Sequence, residues 1–195
     1  MLIFAASPPA AGPSYRDLAL ASHEAGHAVA ALELGMVVTG AGIDPPSVHD
    51  HPGWTDFHQA SAERGERLAA LGVLLRAGVA GHYWLAIGDR GFAGGGPCWV
   101  ATAGQDDADL SSVWQTLGPA AGHTSYATFF LESSLAALRL TARRVADVDA
   151  VAAGLLARRT LTGAQIATIA DAPDKRIALS TMIPGLFDHA DEVTR

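Results

Sequence analysis

Between Tyr15 and Leu34 apolar residues recur at helical spacing, with Leu18, Val29 and Leu32 on one face, which predicts an amphipathic helix. Ser14, with Asp17 three residues on, supplies its start signal, and Gly35 its stop. The β-branched run from Met36 to Ile43 and the alternating GWTDF from Gly53 to Phe57 predict two short strands, joined by a Pro-, His- and Asp-rich loop from Asp44 to Pro52. Helical spacing returns from Ser61 to about Leu85 through Leu68, Leu71, Leu74, Leu75 and Val79, and Gly88 ends that long helix, whose second half reads as buried. Six glycines and Pro97 fall within 88–104, the composition of a loop. Asp106, Asp107 and Asp109 then open an apolar-periodic segment through Leu110, Val113 and Leu117, where carboxylates suit a helix N-terminus. A helical stretch from Ser125 to Arg158, bent near Asp147 to Asp149, precedes a capping box, Thr162 with Gln165, that opens a short helix to about Ala170.

These elements add up to an α+β chain that is mostly α, with a two- to three-stranded sheet and a helical C-terminal bundle. At 195 residues, 49% hydrophobic and 17% charged, it is long and apolar enough to bury a core as one domain. Within that domain, 1–13 reads as an N-terminal arm, 14–118 as the part carrying the chemistry, 119–172 as the helical part and 173–195 as a tail. A net charge of −7 argues against nucleic acid as a partner. Met1 to Ala6 is too short for a signal sequence, and Arg76, His82 and Asp89 break up the apolar runs before any could span a bilayer, so a cytoplasmic chain without membrane insertion is expected. Lys175, the single lysine, follows no Gly-rich loop, which excludes a Walker-type phosphate loop. The lone Cys98 excludes an internal disulfide and a Cys-based zinc knuckle, leaving His and carboxylates as the donors for any transition metal.

Those donors are concentrated in the first helix, in HEAGH: His23, Glu24, Ala25, Gly26, His27. Four residues of helix turn the chain by about 400° and advance it about 6 Å, so the two imidazoles lie roughly 40° apart and reach one ion. Glu24, about 100° round from His23, faces the open coordination position and can take a proton from water there. With eight His and six Glu in 195 residues, a chance His-Glu-x-x-His has odds on the order of 1%. A catalytic zinc needs a third ligand, and Asp106, Asp107, Asp109, His82, His123 and the His49/Asp50/His51 loop are all candidates by spacing. Taken singly, each aspartate reads as a helix cap, His49, His51 and His58 as loop or surface residues, and His82 as a core histidine.

The order of these segments resembles the C-terminal peptidase domain of the FtsH-type ATP-dependent zinc peptidases. HEAGHAVAALELG is similar to that family's metal-binding helix, GWTDF to its edge strand beside the active site, LGVLLRAGVAGHYWLAIG to its second, buried helix, and ARRVADVDAVAAGLLARRTLTGAQI to its closing helical segment. The likeness covers about residues 14 to 170. It implies a zincin-like fold, Zn2+ as the cofactor, and a zinc metalloendopeptidase that cuts unfolded or extended polypeptide. By the Asp-Leu pair in GQDDADLSSV, it implies Asp109 as the third metal ligand beside His23 and His27, with Glu24 as the catalytic base. GWTDF would then offer an edge onto which substrate adds as a strand, its alternative being an ordinary hairpin strand. The family's usual chain carries an ATPase module and membrane helices ahead of this domain. Neither is among the 195 residues, so any unfoldase is expected to be a separate partner, and oligomeric state does not follow from the likeness. Two other readings fit the same residues: a metal-binding regulatory or adaptor module without proteolysis, and a structural helical domain that binds protein partners.

Overall fold

The computed structural model describes residues 13–43, 53–58, 64–87, 98–117 and 125–170. They form α1 (Tyr15–Glu33), β1 (Val37–Gly42), β2 (Trp54–His58), α2 (Arg64–Ile87), α3 (Cys98–Leu117), α4 (Tyr126–Arg143), α5 (Val145–Arg158), β3 (Thr160–Thr162) and α6 (Gly163–Ile169). Among the described residues the protein is therefore mostly helical with a small antiparallel sheet, in agreement with the class read from the pattern. The N-terminal arm, the His49/Asp50/His51 loop, the glycines at 91–96, His123 and the tail from 173 lie outside the described residues.

Helix α1 is the element around which the others gather, touching α2, α3, α4, α5, β1 and β2. Its start follows the sequence signal: the Ser14 side chain accepts from the Asp17 backbone N–H. Its stop is Gly35, at φ 69°, a left-handed conformation that glycine adopts without strain. The apolar stripe expected of it is wider than predicted, since every residue from Ala19 to Ala31 is buried. Small side chains make that possible by letting α2 approach closely. A Cβ at Gly26 would stand 2.3 Å from the Ala77 carbonyl oxygen, and one at Gly81 would stand 2.4 Å from that of Ser22. One contiguous apolar core runs from Leu20 and Val29 of α1 through Val73 and Leu74 of α2 to Leu140, Val151 and Leu155 of α4 and α5.

The sheet has the order β2-β1-β3, all neighbours antiparallel, with a register shift between Val38 and Gly40 that makes Thr39 a bulge. Gly40 and Gly42 are poor strand residues by propensity, and Trp54 accounts for them. Its ring would lie within 3.3 Å of a Cβ at Gly40 and 2.6 Å of one at Gly42, so the indole occupies the space that side chains would need. Trp54 thus fixes one face of β2 to the sheet, and the alternation of a strand sends Thr55 to the other face.

Three elements depart from expectation. Helix α3 begins at Cys98, inside the segment 88–104 read as loop, so Asp106, Asp107 and Asp109 lie within the helix instead of capping it. Gly104 interrupts Cys98 to Gln105 at a cost of only about 1 kcal/mol, too little to break a helix. The stretch 125–158 is two helices that divide at Arg144, before the bend expected at Asp147 to Asp149. The Arg144 guanidinium reaches buried Glu33 at 3.1 Å, Asp147 at 2.6 Å and the Ala170 carbonyl at 2.6 Å, tying the end of α1 to the C-terminal helices. Strand β3, three residues long, had no pattern of its own and owes its conformation to pairing with Gly40, Ala41 and Gly42. The capping box after it forms as read, between Thr162 and Gln165. Among the described residues no helix is long and apolar enough to cross a membrane.

Candidate metal centre

One turn of α1 presents His23 and His27 on the side that faces α2 and α3. Their Nε2 atoms are 3.1 Å apart and the rings meet edge to face, with centroids 4.7 Å apart and planes at 83°. The His27 Nδ1–H donates to the Leu74 carbonyl at 2.8 Å, which turns Nε2 toward His23. The helical register of α2 supplies both that carbonyl and Gly78, one turn later. A Cβ at Gly78 would lie 2.4 Å from His27 Nε2 and 2.6 Å from His23 Nε2, so glycine leaves the space between the two nitrogens clear.

The third donor in that space is Asp106. Its Oδ2 is 3.1 Å from His23 Nε2 and 3.4 Å from His27 Nε2, and it is buried without a well-formed hydrogen bond. Donors held about 2.0–2.2 Å from a tetrahedral ion are themselves about 3.3–3.6 Å apart, and the triangle of 3.1, 3.1 and 3.4 Å comes within about 0.2 Å of that range. His23, His27 and Asp106 form the one cluster among the described residues whose donor atoms converge in this way. The geometry differs here from the expected third position. Asp109 is exposed on the rim of the same cleft, where its Oδ1 accepts from Gln105 Nε2 at 3.0 Å. The neighbouring Asp107 pairs with Arg76 of α2, whose Nε also donates to Ser134 at 3.0 Å and whose guanidinium lies 4.4 Å from the centre of the Phe130 ring. The three aspartates thus have three different surroundings, and only Asp106 is turned to the imidazoles. Two contacts hold α3 in this rotation: Arg76 engages Asp107, and the fully buried Leu110 packs against Phe129. Of the other candidates, His82 is buried in α2, as a core histidine would be; His58, read as a loop or surface residue, is exposed at the end of β2. Burial, reinforced by the nearby His23, pushes the His82 pKa down and favours a neutral ring.

The cluster is electrostatically coupled. Burial works against a charge on His27, but the Asp106 carboxylate beside it prevails, with Glu24 and the Leu74 carbonyl assisting, and the pKa is pushed up to about 9. Burial likewise opposes ionisation of Asp106, and the positive charge on His27 together with the two ring nitrogens holds its carboxyl well below the usual carboxylate range.

Glu24 is buried, and its carboxylate meets β2. The Thr55 hydroxyl donates to Glu24 Oε2 at 2.8 Å and lies 3.2 Å from the Glu24 backbone carbonyl. A Cβ at Gly53 would come within 2.4 Å of the other carboxylate oxygen, Oε1, so the strand passes over the acid through a residue without a side chain. Both β2 and α1 line a cleft of about 560 Å³ that contains His23, Glu24, His27 and Asp106, with Leu20, Leu74, Leu75 and Phe57 as apolar wall and Arg16, Asp56 and Asp109 around it. β2 is an edge of the three-stranded sheet. The two histidines, the glutamate and the strand are legible in the sequence; Leu74, Gly78 and Arg76 carry no local motif for their part here, and Thr55, although inside GWTDF, gives no sign of its hold on Glu24. No family model and no curated protein sequence matches the chain.

Proposed function

We propose that the protein is a zinc-dependent endopeptidase-like domain with a zincin-like arrangement, acting on extended or unfolded polypeptide, in line with the FtsH-type resemblance of its segments. The observation that carries this reading is the convergence of three buried donor atoms, from His23, His27 and Asp106, at the spacing of a tetrahedral site that opens into a cleft beside a buried glutamate. His23, His27 and Asp106 would hold the ion, and Asp106 replaces Asp109 as the third ligand of the proposal. The bound ion would supply Lewis-acid polarisation of a carbonyl and a lowered pKa for water. Glu24 accepts the proton of the attacking water at a carboxylate oxygen and passes it to the nitrogen of the leaving amine, so the carboxylate ends each cycle as it began. The edge of β2 accepts an extended chain through main-chain hydrogen bonds, which provides affinity with little demand on sequence. Apolar residues of the wall exclude water from the bonds formed there.

The test is cleavage of an unfolded substrate such as casein by zinc-loaded protein, with Glu24→Gln alongside. The expected result is cleavage by the wild type, loss of cleavage in the variant, and close to one zinc per chain in both. A wild type as inert as the variant, with zinc still bound, would favour a non-proteolytic metal-binding module. Zinc-free protein whose melting temperature ignores chelators would favour a structural interaction domain.

A further inference from the structure

Strand β2 has two relations to the cleft: an edge unpaired among the described residues, and its hold on the acid. Thr55 has one hydroxyl proton and two acceptors within reach, both belonging to Glu24: Oε2 at 2.8 Å and the main-chain oxygen at 3.2 Å. The shorter contact, to the charged acceptor, is the stronger of the two. The backbone around Thr55 is fixed from both sides. Trp54 is seated over Gly40 and Gly42, and Thr55 itself pairs with Ala41 across the ladder. A Cβ at Gly53, just ahead of the strand, would stand 2.4 Å from Oε1, so that oxygen lies close to the chain at a residue with no side chain. The two carboxylate oxygens are therefore inequivalent: Oε2 accepts the Thr55 hydroxyl, and Oε1 lies beside Gly53.

We infer that Thr55 is a positioning residue for Glu24, its hydroxyl pinning Oε2 so that Oε1 is the proton-carrying atom, and that the strand proposed to receive substrate also sets the base. The inference rests on the peptidase reading for its catalytic meaning, while the hydroxyl contact stands apart from it. A glutamate free to rotate about its last bonds spends part of its time off target, and a misplacement of about 1 Å can cost on the order of 100-fold in rate. Placement acts on the chemical step, so the effect belongs in kcat and not in KM.

The experiment compares wild type, Thr55→Val and Thr55→Ser in two readouts. Valine keeps the volume and the β-branch and removes the donor; serine restores the donor. In the first readout, protein labelled with 13C at glutamate carboxyl carbons is observed by NMR with and without zinc, the Glu24 signal being identified by its loss in Glu24→Gln. The signal is expected to move in Thr55→Val and to stay at the wild-type position in Thr55→Ser. In the second, Thr55→Val lowers kcat for a peptide substrate about 10- to 100-fold with KM nearly unchanged, and Thr55→Ser recovers most of it. An unmoved Glu24 signal in Thr55→Val, or a loss confined to KM, overturns the inference. A signal that moves in Thr55→Val, alongside a wild type that cleaves nothing, sustains the hydroxyl contact and counts against the peptidase reading alone.

Discussion

Replacing Gly78 with alanine puts two physical effects in opposition. By helix propensity the change is favourable, because a glycine inside a helix costs about 1 kcal/mol relative to alanine. By packing it is not: the new methyl would stand 2.4 Å from His27 Nε2 and 2.6 Å from His23 Nε2, roughly 1 Å inside ordinary contact with the atoms proposed to bind the ion. Relief must come from rotating the imidazoles, which breaks the His27 bond to Leu74, or from separating α2 from α1, which are in close contact at Gly26 and Gly81. Overpacking of this kind costs about 1–3 kcal/mol, so the metal-free variant should be less stable than wild type in spite of the propensity gain. The larger effect is on zinc. Free zinc at 100 times its dissociation constant stabilises a protein by about 2.7 kcal/mol. At about 2–4 °C per kcal/mol for a chain of this length, that is a rise in melting temperature of about 5–11 °C. Wild type should show that rise and Gly78→Ala should not. Gly104→Ala is the control, since nothing lies within 4 Å of its Cβ, and it should leave the zinc response intact and gain up to about 1 kcal/mol. Thermal melts with and without zinc, with metal content by mass spectrometry, decide the matter. A Gly78→Ala protein with wild-type zinc content and the full thermal rise would refute the packing of α2 against the imidazoles.

Asp106→Asn should reduce zinc affinity by more than about 100-fold, beyond what loss of a supporting hydrogen bond does, whereas Asp109→Asn should retain a full equivalent; calorimetric titration of both variants separates the two aspartates. Because the His27 pKa of the metal-free protein is raised to about 9, its contribution to stability is complete below the ordinary histidine value and fades as the pH rises through about 9. Zinc must displace that proton, so affinity should climb roughly tenfold per pH unit from about 7 to 8, with about one proton released per ion in calorimetry run in buffers of different ionisation enthalpy; a flat pH dependence would contradict the coupling of His27 to Asp106.

What could be read in the sequence was what depends on near neighbours along the chain. The Ser14 cap, the Thr162 and Gln165 capping box and the His23 and His27 pair are each set by residues three or four apart, and each forms as read. The choice among Asp106, Asp107 and Asp109 is of another kind. All three belong to one helix, and they are told apart by contacts distant in sequence, Arg76 with Asp107 and Phe129 with the neighbouring Leu110, which no periodicity connects to them. Strand β3 was silent for the same reason, its partner β1 lying far back in the chain. The division at Arg144 answers to Glu33 on α1, a contact that helical spacing within 125–158 cannot reveal.

Two adjacent carboxylates on α3 create an ambiguity that the fold must remove. The helix has two phases, about 100° apart, in which an aspartate would meet the imidazoles, one with Asp106 and one with Asp107. The Asp106 phase is the one that buries Leu110 of α3 against Phe129 of α4 and also lets Asp107 meet the Arg76 guanidinium, itself braced by Ser134 and Phe130. Helix α4, which gives the cluster no ligand among the described residues, thereby bears on the angle at which α3 presents Asp106.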